Sequence, residues 1–310
     1  MTTPLPKFSP GRLVAAIVLS WFTGPGAVLA EAPITPKTET RTATTSLWSV
    51  KGAKNTVYFL GSVHILRPED YPLPAAMDAA YADSKVLVLE ITSADMESPA
   101  SSALTMQLGM YQDGSTLQSK LSPESYAFFK EKATAAGLPP AMLNSMKPWM
   151  AGMAVVVQQL TTAGYDLTKG VDKHFEAQAL TDKKPVEALE TAKFQLGVFE
   201  QLSATLGDDF MKQMLTEADA MTKMLDDMVT AWKKGDALAL DTLMSKSYDG
   251  FPDIERVLLL DRNNAWVKKL EADYLKRDEN VLIIVGAGHL VGKNSVITQL
   301  GKKGYAIEQL

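Results

Sequence analysis

Two kinds of hydrophobic run alternate along the chain. Residues 46–50 and 56–63 are short, rich in β-branched and aromatic side chains, and joined by Lys51-Gly-Ala-Lys-Asn55. That pattern predicts two strands linked by a turn-rich hairpin connection. Val86-Leu-Val-Leu-Glu-Ile91 and Val281-Leu-Ile-Ile-Val285 are near-continuous apolar runs. Such runs predict strands covered on both faces. Residues 74–83 predict a helix with proline in its first turn. From about 98 to 276 the apolar period is mostly helical, interrupted by one short candidate strand at 185–189. A helix over 290–302 and a last strand over 305–308 close the chain.

Strands at both ends with helices between them predict an α/β (α+β) fold. One sheet is assembled from distant parts of the chain and covered by a large helical middle region, all within a single domain over 46–310. Ahead of it, Lys7 and Arg12 precede an apolar stretch over 13–22, then Thr23-Gly-Pro-Gly26 and small residues up to Ala30. This order predicts a cleavable signal peptide over 1–30, cut after Ala30. A helix over that stretch would rise only about 15 Å, half of what a membrane span requires. Residues 31–45, rich in threonine, read as a flexible leader. The expected location is therefore periplasmic or secreted, with no stable membrane insertion after cleavage.

Composition narrows the chemistry. The 310 residues include no cysteine, which removes disulfide scaffolds, cysteine-ligated metal sites and cysteine nucleophiles. The net charge of −5 leaves no basic excess for nucleic acid. Hydrophobic residues make up 46%, too many for a disordered chain. Gly-x-Ser-x-Gly, the phosphate-binding glycine loop and His-Glu-x-x-His are all absent. Met211, Met214, Met221, Met224 and Met228 recur at helical spacing, and they read as a packed face rather than a copper site.

Only three histidines exist, and two share one context. Gly61-Ser-Val-His64 and Gly286-Ala-Gly-His289 each follow an apolar strand, which places both rings at the carboxyl edge of the sheet, where open α/β sheets bind ligands. Glu90 ends a third apolar run at that edge, and a carboxylate there needs a partner or a cation. Two imidazoles and a carboxylate could hold a divalent metal that lowers the pKa of a bound water. Asp172, in Gly170-Val-Asp-Lys-His174, reads equally as a helix N-cap or a site residue. His174 reads as structural or as a support to the site.

The chain also resembles the TraB/GumN (TIKI-related) family, most closely its bacterial GumN-like branch. The matching pieces are Phe59-Leu-Gly-Ser-Val-His64, Val88-Leu-Glu90, Gly170-Val-Asp-Lys-His-Phe175, Lys184-Pro-Val-Glu-Ala-Leu-Glu-Thr191 with Gln195, Arg262-Asn263 and Gly286-Ala-Gly-His-Leu-Val-Gly292. They run in order over about residues 47–310. The resemblance implies a metal site of His64, Glu90 and His289, with manganese, cobalt or zinc as the ion. It further implies Arg262 and Asn263 as catalytic partners, with Arg262 polarising an oxyanion or orienting a carboxylate, and Glu187 or Glu190 as weaker candidates. Glu90 is either ligand or general base. The activity implied is that of an exported metal-dependent hydrolase acting on a peptide or protein substrate. The alternative is a non-catalytic peptide-binding protein of the same fold.

Overall fold

The computed structural model describes residues 44–248 and 252–310. The expected signal peptide, and the leader up to residue 43, lie outside the described residues. Thr45, expected in the leader, already belongs to the fold: it is 5% exposed and its N–H donates to the Leu310 carbonyl at 2.5 Å.

Among the described residues, six strands form one sheet in the order β4-β3-β5-β2-β1-β6. They are β1 (Leu47–Lys51), β2 (Thr56–Ser62), β3 (Val86–Leu89), β4 (Val186–Ala188), β5 (Val281–Gly286) and β6 (Ile307–Gln309). β4, β3, β5 and β2 run parallel, whereas β1 pairs antiparallel with both β2 and β6. The hairpin and the mixed sheet assembled from both ends of the chain match the expectation. Every residue of β3 and β5 is buried, as their uninterrupted apolar runs require. Each such aliphatic side chain contributes about 1.5–3 kcal/mol by leaving water. The observed strands differ from the expected ranges by a residue or two at their ends.

The longer helices, numbered in chain order, are α1 (Ala75–Asp83), α2 (Pro99–Gly109), α3 (Pro123–Ala135), α4 (Pro148–Thr162), α5 (Val171–Thr181), α6 (Ala192–Lys233), α7 (Ala237–Ser247), α8 (Asp261–Ala272) and α9 (Val296–Lys302). α6 has 42 residues and spans about 63 Å. Its methionine stripe is core: Met211, Met214, Met221 and Met228 are at most 2% exposed. A smaller apolar cluster around Phe129, Val155 and Leu215 joins α3, α4 and α6 away from the sheet. Among the described residues, no helix is long and apolar enough to cross a membrane.

One expected element is corrected. The helix placed over 290–302 begins only at Val296, with the Ser295 hydroxyl capping the Thr298 N–H at 3.1 Å. Gly292 stands at φ +86°, a left-handed conformation that interrupts a helix. Residues 290–295 are instead turns and bends that follow a single 3-10 turn, Ala287–His289.

Candidate functional site

β2, β3 and β5 are neighbours, so their carboxyl ends open at one place. Ser62 lies opposite Gly286, and Leu89 lies opposite Ile284. His64, Glu90 and His289 each follow one of these ends, and all three are buried, at 5%, 5% and 1% exposure. The two Gly-x-x-His segments pack against each other: a Cβ on Gly61 would stand 3.1 Å from Ala287 Cα. Glycine at the strand end therefore permits the approach that brings the histidines to one edge.

Each ring is held by a different support. His64 Nδ1 faces Asp172 Oδ1 at 2.9 Å, and the same oxygen accepts the Ser62 hydroxyl at 2.7 Å. An ionised carboxylate only accepts, so Nδ1 carries the hydrogen and Nε2 is the ring's remaining coordinating atom. That Nε2 is buried and has no hydrogen-bond partner among the described residues. Asp172 is not the helix cap. Gly170 holds that position and Asp172 is the second residue of α5, so its work is the support of His64. His289 Nδ1 faces Asn263 Oδ1 at 2.6 Å. Asn263 Nδ2 donates to the Asn294 carbonyl at 3.1 Å, which fixes the amide and leaves Oδ1 as acceptor. His289 Nε2 is then the lone-pair nitrogen, 3.2 Å from Arg262 Nη1 and 3.7 Å from Glu90 Oε1.

Glu90 Oε1 accepts the Gly286 N–H at 2.7 Å, and Oε2 accepts from Arg262 Nη2 and from Gln195 Nε2 at 3.4 Å. Arg262 is the second residue of α8, which follows directly on a π-helical turn over Arg256–Leu260, a local form often found beside functional sites. Arg262 is 2% exposed, and its guanidinium meets Glu190 twice, Nε to Oε1 and Nη2 to Oε2, both at 2.9 Å. The remaining Nη1 hydrogen reaches the Leu258 carbonyl at 3.1 Å. All five donors are engaged, so the geometry matches the orientation of carboxylates and leaves no donor for an oxyanion.

Charges follow from these contacts. Burial alone would raise the Glu90 pKa, but Arg262, both histidines and the Gly286 N–H outweigh it and lower it. Asp172 is lowered against burial by His64 and Ser62. His64 is raised: burial opposes its charge, but Asp172 and then Glu90 prevail. His289 is pushed down to about 3 by burial and by Arg262. One ring is thus drawn toward the charged form and the other kept neutral.

Behind Glu90, the turn leaving β3 is tied to α5. Glu176 accepts the Ser93 N–H at 2.7 Å and the Ser93 hydroxyl, while Lys173 Nζ donates to that hydroxyl at 2.5 Å. His174 packs its ring against Tyr71 and Phe175, with centroids 5.4 and 5.0 Å away, in keeping with a structural reading. Glu187 is committed to Arg277, at 2.9 and 3.0 Å. Glu190 belongs to the centre instead. It follows β4 as Glu90 follows β3, and its N–H donates to the Glu90 carbonyl at 2.9 Å. That shared strand-end glutamate is the signal by which the sequence alone could have selected it.

The donor types suit a divalent cation: an orphaned imidazole nitrogen, a second imidazole whose Nε2 carries no hydrogen and accepts from Arg262, and a carboxylate with lone pairs to spare. Among the described residues, however, no three His, Asp or Glu side chains stand ready to hold one. His289 and Glu90 are turned onto Arg262.

Comparison with known proteins identifies relatives and a family. The chain is 24% identical over 243 residues to the uncharacterized protein YbaP of Escherichia coli K12, covering 77% of this chain and 85% of the relative. The same figures hold for YbaP of Shigella flexneri. No solved structure matches the chain. The model of the TraB/PrgY/gumN family matches residues 46–309, which carry both Gly-x-x-His segments, and the chain belongs to that family.

Proposed function

We propose that this protein is an exported hydrolase of peptide bonds that works with a divalent ion. The observation that carries the reading is the pair of buried imidazoles at adjacent strand ends. Each is fixed through Nδ1 by a side-chain oxygen, and Nε2 of His64 has no partner among the described residues. His64, Glu90 and His289 would hold manganese, cobalt or zinc, with His289 giving up Arg262 to do so. Bound there, the ion supplies Lewis acidity and the means to bring a water's pKa toward neutrality. Asp172 and Asn263 hold a ring hydrogen on Nδ1 of His64 and His289, so that each ring, once neutral, offers Nε2. Arg262 keeps Glu90 ionised, as either a ligand or a general base requires. Export is proposed from the signal-like order of residues 1–30.

Burial of the centre favours a second reading, in which the fold binds and sequesters a peptide without cutting it. An open cleft of about 540 Å³ lies elsewhere, between the end of α6 and α7, lined by Asp227, Lys234, Leu238 and Leu243 among others.

Purified protein incubated with a mixed peptide library, with each ion or with chelator, separates the two. Ion-dependent cleavage is expected, lost in His64→Ala and His289→Ala while both variants remain folded. Unchanged cleavage in both variants would overturn the site. Saturable peptide binding without cleavage would establish sequestration.

A further inference from the structure

Arg262 stands on the atoms that a metal would need. Nη1 lies 3.2 Å from the only lone pair of His289 Nε2, and Nη2 is hydrogen-bonded to Glu90 Oε2. The other side of the guanidinium is anchored on Glu190, which is itself fixed on every side. Glu190 Oε1 accepts the Trp266 indole N–H at 2.8 Å, and Oε2 accepts Gln195 Nε2 at 3.1 Å. The Trp266 ring packs on His289 with centroids 4.4 Å apart and lies 4.9 Å from Arg262 Cζ. One positive charge is thus shared between two buried carboxylates. A dication placed beside it would meet strong repulsion in so dry a setting.

We infer that Arg262, tethered by Glu190, is a built-in occupant of the cation position, and that metal enters by exchange with it. The guanidinium releases His289 and Glu90 but stays on Glu190, so the centre never holds bare carboxylates. The inference rests on the metal-binding reading of His64, Glu90 and His289. It gives Arg262 a role opposite to that of a simple helper: it restrains loading, and Glu190 decides how firmly.

The test is calorimetric titration of metal-free protein with manganese and zinc chlorides. Removing Arg262 alone leaves two unpaired buried carboxylates and risks the fold. The variant is therefore Arg262→Met with Glu190→Gln, which deletes one charge of each sign. It should bind metal at least tenfold more tightly than wild type, and adding His289→Ala should abolish the gain. Equal or weaker binding in the double variant would overturn the latch while the metal reading stands. No binding by either protein would overturn the metal reading and the latch with it. Should the double variant not fold, wild type still decides through the side-chain NMR signals of Arg262. Zinc that binds and shifts the Nη signals supports exchange, and zinc that binds and leaves them unchanged overturns it.

Discussion

Asp172 and Asn263 touch the centre only through the outer nitrogens of His64 and His289, yet they set which atoms those rings present. Such supports behind a coordinating ring usually change metal affinity or turnover by about 10–100-fold when altered. Asp172→Asn keeps the shape but removes the charge that favours a protonated His64. Both Asp172→Asn and Asn263→Ala are expected to weaken manganese binding by that factor with little change in circular dichroism. Affinities within twofold of wild type would show that the rings are held by packing alone. His64 and His289 were legible in the sequence as a matched pair of Gly-x-x-His segments after apolar runs, and Glu90 as a carboxylate that ends another such run. Asp172 was only half legible, since an acid near a helix start is usually a cap, and Gly170 turned out to hold that place. Glu190 was legible only as a strand-end glutamate and a weaker candidate; what the fold adds is its partner, Arg262, 72 residues away.

The strands were read closely because both-sided burial leaves a run of apolar residues that no loop shares. β3 and β5 are the clearest cases. The helix before β6 was drawn too long for a local reason. Leu290 and Val291 are buried and fit a helical period, but Gly292 breaks it with φ +86°. A Cβ at that position would also stand 2.4 Å from Asp241 Oδ1 on α7. Gly292→Ala should therefore cost about 1–2 kcal/mol, the sum of left-handed strain and a displaced carboxylate. Urea denaturation with an unchanged m-value is the measurement. An alanine variant as stable as wild type would mean that the turn relaxes into the longer helix that the apolar period favours. The turn matters for the site, since it leads directly out of His289.

Stability of the whole fold should carry the signature of two histidines shifted in opposite directions. In the metal-free protein, folded His289 stays neutral down to about pH 3, whereas the unfolded ring takes a proton near 6.5. Between those values the unfolded chain binds more protons, so the His289 contribution is complete above 6.5 and lost as pH falls toward 3. By pH 4.5 the loss reaches about 2–3 kcal/mol. His64 acts with the other sign. Its folded pKa is raised, so its contribution is complete below 6.5 and lost as pH rises through the folded value. Together they place the maximum near pH 6.5, from which stability falls on both sides. The lowered Glu90 and Asp172 steepen the acid limb only below their unfolded values of 4.5 and 3.8. Urea midpoints measured from pH 4.5 to 9 test this, because His289→Asn should flatten the limb between 4.5 and 6.5 and spare the alkaline one. His64→Asn should do the reverse. A single monotonic slope in wild type would mean that the two rings do not titrate as the buried network around Arg262 requires. Saturating metal should flatten the alkaline limb as well, since a coordinated His64 no longer carries a proton to lose.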